Sequence, residues 1–256
     1  MEITEFLQAI FRWVHVVAGI VWIGHLYFFN FVNGPFETTL DGDSKKKVVP
    51  QLRPRALFWF RWGAAWTWIT GVLLLMLVFY HGRIMFDGDA GWHAGAFVML
   101  AVTFLAFALY DPLAKAIKDN QQMAYLGLAL SAVVVLCYVF VGGYGYRATT
   151  IHLGALFGTL MAANVWMRIW PAQQKIITAI RDGQAPDAAL VGLAGTRSRH
   201  NTYMSVPLVW LMLDQHTTVA STFLGLPSYA WTVIMIGVAW YVVMQIYTKA
   251  GGVKGF

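Results

Sequence analysis

Apolar stretches long enough to cross a lipid bilayer recur along the whole of this chain, and they constrain its fold more than any other feature. A helix needs about 20 mostly apolar residues to span a hydrocarbon layer of about 30 Å. Of the 256 residues, 59% are hydrophobic and only 12% are charged, which leaves no stretch for a large soluble domain. We therefore expect one polytopic membrane domain over residues 1–256, an all-α integral membrane protein with a bundle of about seven transmembrane helices. The predicted spans are residues 6–31, 57–80, 93–110, 123–141, 150–170, 201–223 and 229–247.

The first apolar stretch is predicted to be a retained helix. It starts at Phe6 after two acidic residues, Glu2 and Glu5, and lacks the basic segment that opens a signal peptide. The single cysteine, Cys137, lies in the middle of a predicted span. One cysteine cannot form an internal disulfide, and the sequence has no C-x-x-C-H motif for a covalently attached haem.

Basic residues are concentrated on one side of the predicted membrane. Short loops rich in Lys and Arg stay in the cytoplasm, and this rule orients the helices. It assigns the N-terminus to the periplasm and the C-terminus to the cytoplasm of a bacterial inner (plasma) membrane. The net charge of +6 follows from this arrangement, so we expect no nucleic-acid partner. The cytoplasmic set is Lys45, Lys46, Lys47, Arg53, Arg55, Lys115, Lys118, Lys175, Arg181, Arg197, Arg199, Lys249 and Lys254, and the outer set is Arg83 and Arg147.

Two parts of the chain depart from simple spans. The sixth stretch contains Pro207 and the polar residues 214–216, so we expect it to be kinked or broken beside a cavity. Two long polar connections, residues 33–56 and 171–200, are expected in the cytoplasm. The second is predicted to include a short amphipathic helix over residues 173–181.

Most histidines fall toward the outer side of the predicted bundle. At a rise of about 1.5 Å per residue, His15 lies near the middle of the first span, and His93 and His152 open the third and fifth spans from outside. His216 lies in the outer half of the sixth span, and His81 lies at the outer end of the second. Polar imidazoles are kept inside a membrane mainly where they bind something, so this grouping indicates a cofactor site.

One face of the first span suits a flat macrocyclic cofactor. Arg12, Gly19 and Trp22 share the face of His15 at helical spacing. Imidazole is a common axial ligand of haem iron, glycine permits close approach, and arginine pairs with a propionate. We therefore predict a b-type haem bound by His15. The alternative is that Gly19 serves helix packing and that Arg12 extends its charged end to the membrane surface.

The fifth span repeats this arrangement. His152 is followed by Gly154 and Gly158, and Arg147 precedes it by about one turn. Pairs of imidazoles commonly hold low-spin haem, so His152 is a candidate second ligand, although spacing alone does not fix the pair. The four outer histidines can also hold two metals, or one haem and a non-haem copper or iron ion. These four are His15, His93, His152 and His216.

A second polar group, residues 198–201, precedes the sixth span. In one interpretation these residues start a helix, with Ser198 or Asn201 as its cap. In the other they bind a small anionic molecule or carry protons, since Arg199 supplies charge and His200 titrates near neutral pH. His25 lies on the same side, and with His200 it is an alternative ligand pair for a second haem.

Four groups of residues together carry a family resemblance. They are RWVHVVAGIVWIG (residues 12–24), FWFRW (58–62) with WTWITG (66–71), HLGA (152–155) with MAANV (161–165), and SRHNTY (198–203) continuing through Pro207 to His216. Together they resemble the membrane domain of bacterial membrane-bound urate hydroxylases, the urate oxidase N-terminal family, over most of the chain. The first group alone also resembles copper-resistance D-type proteins and membrane protoporphyrinogen oxidases. His15, His152, His200 and His216 occupy the family's motif positions, whereas His25 stands where the purine-degrading members are expected to have another residue.

The resemblance implies a membrane domain linked to the oxidation of urate, which in family members precedes a C-terminal cytochrome c. No cytochrome c segment is present in these 256 residues. We therefore expect a membrane redox protein with haem b in its outer half, which passes electrons to a separate cytochrome c or to respiratory complex subunits. In an enzymatic version, Arg199, His200 and Asn201 bind a urate-like purine substrate. The alternative is a non-catalytic accessory or anchoring subunit of a respiratory membrane complex.

Overall fold

The computed structural model describes residues 2–88, 91–117, 119–216 and 223–253. Within these ranges the fold is all-helical, and extended backbone pairs only in an isolated bridge between Phe86 and Tyr144. Three π-helical segments, Phe28–Asn33, Leu75–Tyr80 and Val165–Ile169, continue α1, α3 and α7 without interruption. The helices are α1 (Glu2–Tyr27), α2 (Gly34–Thr39), α3 (Gly42–Leu74), α4 (Ala94–Leu105), α5 (Phe107–Ala116), α6 (Asn120–Phe140), α7 (Tyr146–Asn164), α8 (Trp170–Arg181), α9 (Ala188–Asp214) and α10 (Ser228–Gly252).

Five continuous helical stretches are long and apolar enough to cross a membrane. They are Glu2–Thr39, Gly42–Tyr80, Asn120–Phe140, Tyr146–Arg181 and Ser228–Gly252. These stretches match five of the seven predicted spans and support a multi-pass membrane protein. The full number of seven spans and the orientation of the termini stay predictions.

The third predicted span, residues 93–110, is bent. α4 and α5 are each too short to cross a bilayer, but together they form one apolar pair bent by 49° around Ala106. The helix was predicted to end at residue 110, yet α5 continues through Pro112 to Ala116. Pro112 is inside α5 and does not end the helix. A 2.7 Å ion pair between Lys115 and Asp111 spans its last turn.

The sixth predicted span corresponds to α9, which begins earlier than predicted, at Ala188. α9 is long enough to cross a bilayer, but charged residues such as Arg197 and Arg199 lower its hydropathy, and it is not among the candidate spans. The helix runs through Pro207 as one element and ends at Asp214, within the polar patch, so it is not broken at the proline. Residues 217–222 of the predicted span lie outside the described residues.

The two polar connections are mostly helical, whereas the sequence predicted only one short helix there, in the second connection. α3 begins at Gly42, inside the first connection, because the Asp41 carboxylate caps it. This carboxylate accepts hydrogen bonds from the Ser44 N–H (2.8 Å) and hydroxyl (2.9 Å), which lower the pKa of Asp41. In the second connection, α8 contains the amphipathic helix predicted over residues 173–181. Helices this polar show no long apolar periodicity, which explains why most of them escaped prediction.

The described chain divides into two compact units, each with its own buried core. The first consists of Met1–Gln8, Val72–Leu160 and Ser205–Tyr241, and the second of Ala9–Gly71, Met161–Met204 and Val242–Phe256. The first core includes Tyr138, Leu153 and Leu211, and the second includes Leu26, Ala64 and Val165, all fully buried. Each core also encloses polar side chains: His152 in the first unit, and Arg197 and Asn201 in the second.

Candidate functional site

The three π-helical segments place polar side chains against other buried polar groups. A π segment changes the helical register, and such segments are frequent at functional sites. Asn30 lies in the first segment, Tyr80 ends the second, and Asn164 directly precedes the third. In the second unit, Asn30 and Asn164 contact residues of α9, and in the first unit Tyr80 contacts His152. These contacts define an α9 cluster and a His152 cluster.

His15 is held at one ring nitrogen by the backbone of α3. Its Nδ1 lies 2.9 Å from the Thr67 carbonyl oxygen and 3.3 Å from the Thr70 hydroxyl. Because a carbonyl can only accept, Nδ1 carries the proton and Nε2 keeps its lone pair. The ring packs on Gly71, where an added Cβ would lie 3.0 Å from His15 Cε1. His15 is therefore a half-buried imidazole with a fixed ring and one available nitrogen.

The other residues predicted on the His15 face have separate positions. Arg12 is exposed on α1, one turn before His15. Gly19 lies against the Thr67 side chain, and Trp22 is 2% exposed. The close approach of α1 to α3 occurs at Gly63, where a Cβ would lie 3.0 Å from the Trp22 amide nitrogen. In this structure, Gly19 and Trp22 thus take part in helix packing, and Arg12 is exposed.

His152 lies at the centre of the first unit and is fully buried. Its Nδ1 donates to the Ala148 carbonyl at 2.7 Å, and its Nε2 accepts from the Tyr80 hydroxyl at 3.0 Å. The rings of Tyr144 and Phe79 pack around it at centroid distances of 5.0 and 6.2 Å. Both ring nitrogens are therefore used within the protein, and a metal at Nε2 requires the Tyr80 hydroxyl to leave.

The remaining outer residues lie at the surface of the first unit. His93 precedes α4, with Nε2 3.3 Å from a Cβ added at Gly143, and Arg147 is in the first turn of α7. His216 follows α9 and is exposed. Across the described ranges, which include all seven histidines, no three His, Cys, Asp or Glu side chains are grouped to hold a metal ion. The described structure therefore gives no support to a site in which three or four of these histidines hold one metal ion. A haem needs only one or two protein ligands, so the finding does not test haem binding.

Two asparagines join α7 to α9 inside the second unit. Asn164 and Asn201 are fully buried, and Asn164 Nδ2 donates to Asn201 Oδ1 at 2.9 Å. Asn201 Nδ2 donates to the Met161 carbonyl at 3.0 Å. The Asn201 side chain is therefore a fixed structural link, and it positions the neighbouring residues Arg199 and His200.

Tyr247 of α10 connects the same end of α9 to α1. Its hydroxyl donates to Asn30 Oδ1 at 2.8 Å, and Asn30 Nδ2 donates to the Ser198 hydroxyl at 2.8 Å. The Arg199 guanidinium lies over the Tyr247 ring, 4.9 Å from its centroid. Tyr203 stacks on Tyr247 at 6.1 Å and 20°. Arg199 is exposed, so its cation is oriented by an aromatic ring and is still accessible.

Positive charge surrounds His200 in this cluster. Burial, together with the Arg197 and Arg199 cations, lowers the pKa of His200 to about 4. The imidazole is therefore neutral at pH 7, and the prediction that it titrates near neutral pH is wrong. Arg197 is 1% exposed and brings a second cation into the cluster. Two arginines beside a neutral imidazole favour an anion.

A model of the urate oxidase N-terminal region matches residues 1–252. The chain belongs to the urate oxidase N-terminal family. This confirms the resemblance stated from the sequence motifs. No curated protein and no solved structure matches the chain. Together with the apolar helices, membership indicates a membrane protein related to redox chemistry.

Several residues of this urate oxidase N-terminal protein were missed by sequence reasoning. Within the motifs, Thr67 supplies the carbonyl that holds His15, and Asn164 binds Asn201. Outside the motifs, Asn30, Tyr80 and Tyr247 each bond to a predicted segment. The available signal was a lone Asn in an apolar stretch, since an amide buried there needs a partner.

Proposed function

We propose that this protein is a membrane redox protein that binds one b-type haem through His15 and passes electrons to a separate cytochrome c or to a respiratory oxidase. The observation that carries this proposal is the bond from His15 Nδ1 to the Thr67 carbonyl. Histidines that ligate metals nearly always donate their other N–H to a carbonyl or carboxylate, which fixes the ring and its tautomer. Among the described residues, His15 Nε2 has no hydrogen-bond partner, so the donor set fits an axial ligand.

Haem, when bound, supplies reversible one-electron chemistry. The chain's own residues orient it: His15 presents Nε2, and the exposed Arg12 one turn away is the cation for a propionate. His25 on α1 is similarly arranged, because its Nδ1 donates to the Val21 carbonyl at 2.7 Å. We assign His25 to a second haem only if two haems are found.

The catalytic version of the proposal places a urate-like anion at the α9 cluster. Arg199 binds the anion, Asn201 holds Arg199 and His200 in position, and the neutral His200 accepts a hydrogen bond from the purine. Oxidation of urate with water as the source of the hydroxyl oxygen releases two electrons and two protons for each hydroxyl group formed. The two electrons would be taken up by the external acceptor, one by each cytochrome c molecule. The two protons go to solvent.

The test of the haem is a reduced-minus-oxidised spectrum with pyridine haemochrome quantification. We expect about one haem per wild-type chain and almost none in His15→Ala. His81→Ala is the matched control, because His81 is exposed and lies outside the site, and it should keep the wild-type haem content. A wild-type protein without a Soret band, or full haem in His15→Ala, would contradict the proposal.

The test of the catalytic version is urate oxidation with added cytochrome c as acceptor. Arg199→Gln should raise the KM for urate, because it removes the accessible cation. Haem content should stay at the wild-type level in this variant, which separates loss of substrate binding from loss of the cofactor. Wild-type kinetics in Arg199→Gln would eliminate this binding site.

A non-catalytic accessory subunit is the second candidate, and one observation favours it. The polar groups of Asn201 and His152 are already occupied by protein partners, as in a structural core. This version predicts co-purification with oxidase or dehydrogenase subunits and no urate turnover by the isolated chain.

A further inference from the structure

Arg61 of α3 lies in an aromatic enclosure within the second unit. Its guanidinium carbon is 4.0 Å from the Trp170 ring centroid and 5.8 Å from the centroids of Phe58 and Trp166. The Trp166 indole N–H also donates to the Arg61 carbonyl at 3.1 Å. The cation is therefore held in one orientation by the ring faces.

The guanidinium is fixed but not satisfied. Arg61 Nε is buried and has no hydrogen-bond partner among the described residues. No carboxylate pairs with Arg61 in the described part of the chain either, and its terminal N–H groups make no hydrogen bond there. A guanidinium whose Nε side is shielded can be neutralised only at its terminal N–H groups, and a phosphate accepts two such bonds in parallel.

Exposed apolar side chains surround Arg61. Arg61 lies near the start of the apolar part of the candidate span Gly42–Tyr80, after the basic residues of early α3. Large apolar side chains beside it are exposed: Phe58 (45%), Trp59 (57%), Trp62 (41%) and Met167 (53%). Tryptophans with a basic residue at the start of a span are typical of the headgroup level of a membrane. The anion available at this level is a lipid phosphate.

We propose that Arg61, with Trp166 and Trp170, binds the phosphate of an anionic phospholipid whose acyl chains cover Phe58 and Trp62. The site is separate from His15 and from the α9 cluster. It does not depend on the redox function, because haem and urate take no part in it.

The test is lipid binding to the delipidated full chain, by native mass spectrometry and thermal shift. Phosphatidylglycerol is compared with phosphatidylcholine and with inorganic phosphate. We expect phosphatidylglycerol to bind the wild type about ten-fold more tightly than Arg61→Gln, because the variant loses at least one of the two charge-assisted hydrogen bonds. Arg55→Gln is the matched control: Arg55 is an exposed arginine of the same helix, bonded to its own Gln51, and its loss should leave binding unchanged.

Three results would overturn the proposal. The first is equal binding of phosphatidylglycerol by wild type and Arg61→Gln. The second is an equal shift with inorganic phosphate, which would indicate a soluble anion. The third is equal binding of phosphatidylcholine by the wild type, a comparison that needs no variant. If Arg61→Gln does not fold, Arg61→Lys replaces it, because lysine keeps the charge and loses the planar fork, and reduced preference for phosphatidylglycerol is expected.

Discussion

At the scale of single residues, hydrogen bonds decide which nitrogen of a membrane histidine is available to a ligand. His15 uses Nδ1 for the Thr67 carbonyl and keeps Nε2. His152 uses both nitrogens, one for Ala148 and one for Tyr80. Two imidazoles that seem equivalent in the sequence are thus unequal as ligands. The His152 ring, with both nitrogens hydrogen-bonded, stabilises the first unit. The His15 ring keeps a lone pair on Nε2 and is the better candidate ligand for iron.

The Tyr80–His152 bond predicts a stability loss in Tyr80→Phe. Removing the hydroxyl leaves His152 Nε2 buried without a donor, which costs about 1–3 kcal/mol. We expect the variant to unfold at lower temperature than wild type in the same detergent. Tyr125→Phe is the control, because the Tyr125 hydroxyl is on an exposed side chain and its loss should have little effect. A Tyr80→Phe protein as stable as wild type would show that this bond does not contribute to stability.

The lowered pKa of His200 predicts a dependence of stability on pH. An unfolded histidine has a pKa near 6.5, and that of folded His200 is about 4. Above pH 6.5 the ring is neutral in both states. Between these values only the unfolded chain binds the proton, so stability falls as the pH falls, by at most about 1.4 kcal/mol per pH unit.

Thermal unfolding of wild type and His200→Asn between about pH 7.5 and about pH 5 measures this effect. The wild type should lose more stability than His200→Asn over this range. His81→Asn, in which an exposed ring is replaced, should keep the wild-type dependence. Parallel curves for wild type and His200→Asn would mean that the folded ring takes up the proton as readily as the unfolded one.

At the scale of helices, the predictable part of the fold is the set of long apolar stretches. Length and apolarity alone locate five spans, since the bilayer thickness fixes both. The polar helices α2 and α8 and the extended start of α9 have no such constraint, and only α8 was foreseen in part. π-helical segments leave no mark in the apolar pattern. The contacts that they create, such as Tyr80 with a residue 72 positions away, depend on the packing of separate helices and are not visible in the sequence.

An ion pair joins α2 to α3, and a hydrogen bond from the same arginine joins α3 to α8. Glu37 pairs with Arg53 and also accepts a 2.8 Å bond from Asn33, while Arg53 donates to Gln173 at 3.1 Å. The side chains of Arg53 and Glu37 are only 18% and 10% exposed. Arg53→Ala should cost about 2 kcal/mol, because it leaves a carboxylate with little access to water. Arg55→Ala, at an exposed position, should cost much less in the same unfolding assay.

A partner substitution separates this effect from general damage to α3. With Glu37→Leu added to Arg53→Ala, no unpaired carboxylate remains, so the double variant should be more stable than Arg53→Ala alone. Equal loss in the single and double variants would mean that Arg53 acts through packing.

At the scale of the whole molecule, the number of spans determines the sides on which the loops lie. Five helices are candidate spans, the bent α4–α5 pair is a sixth, and α9 is the seventh predicted from the sequence. If α9 crosses the membrane, two spans, α9 and α10, separate Gln184 from Val253, so both lie on the same side. If it does not, only α10 separates them. Basic residues in the cytoplasmic loops favour the first case.

Cysteine labelling in spheroplasts tests this topology. Cys137 is replaced by Ser, and single cysteines are introduced at Gly91, Gln184 or Val253, which are all exposed. A membrane-impermeant maleimide should label the cysteine at position 91 from outside, and those at 184 and 253 only after lysis. This result would place α9 in the membrane, where its buried Arg197 and Asn201 need protein partners because lipid offers none. Labelling of the cysteine at 253 but not of that at 184 in intact spheroplasts would instead put both ends of α9 on the cytoplasmic side of the membrane.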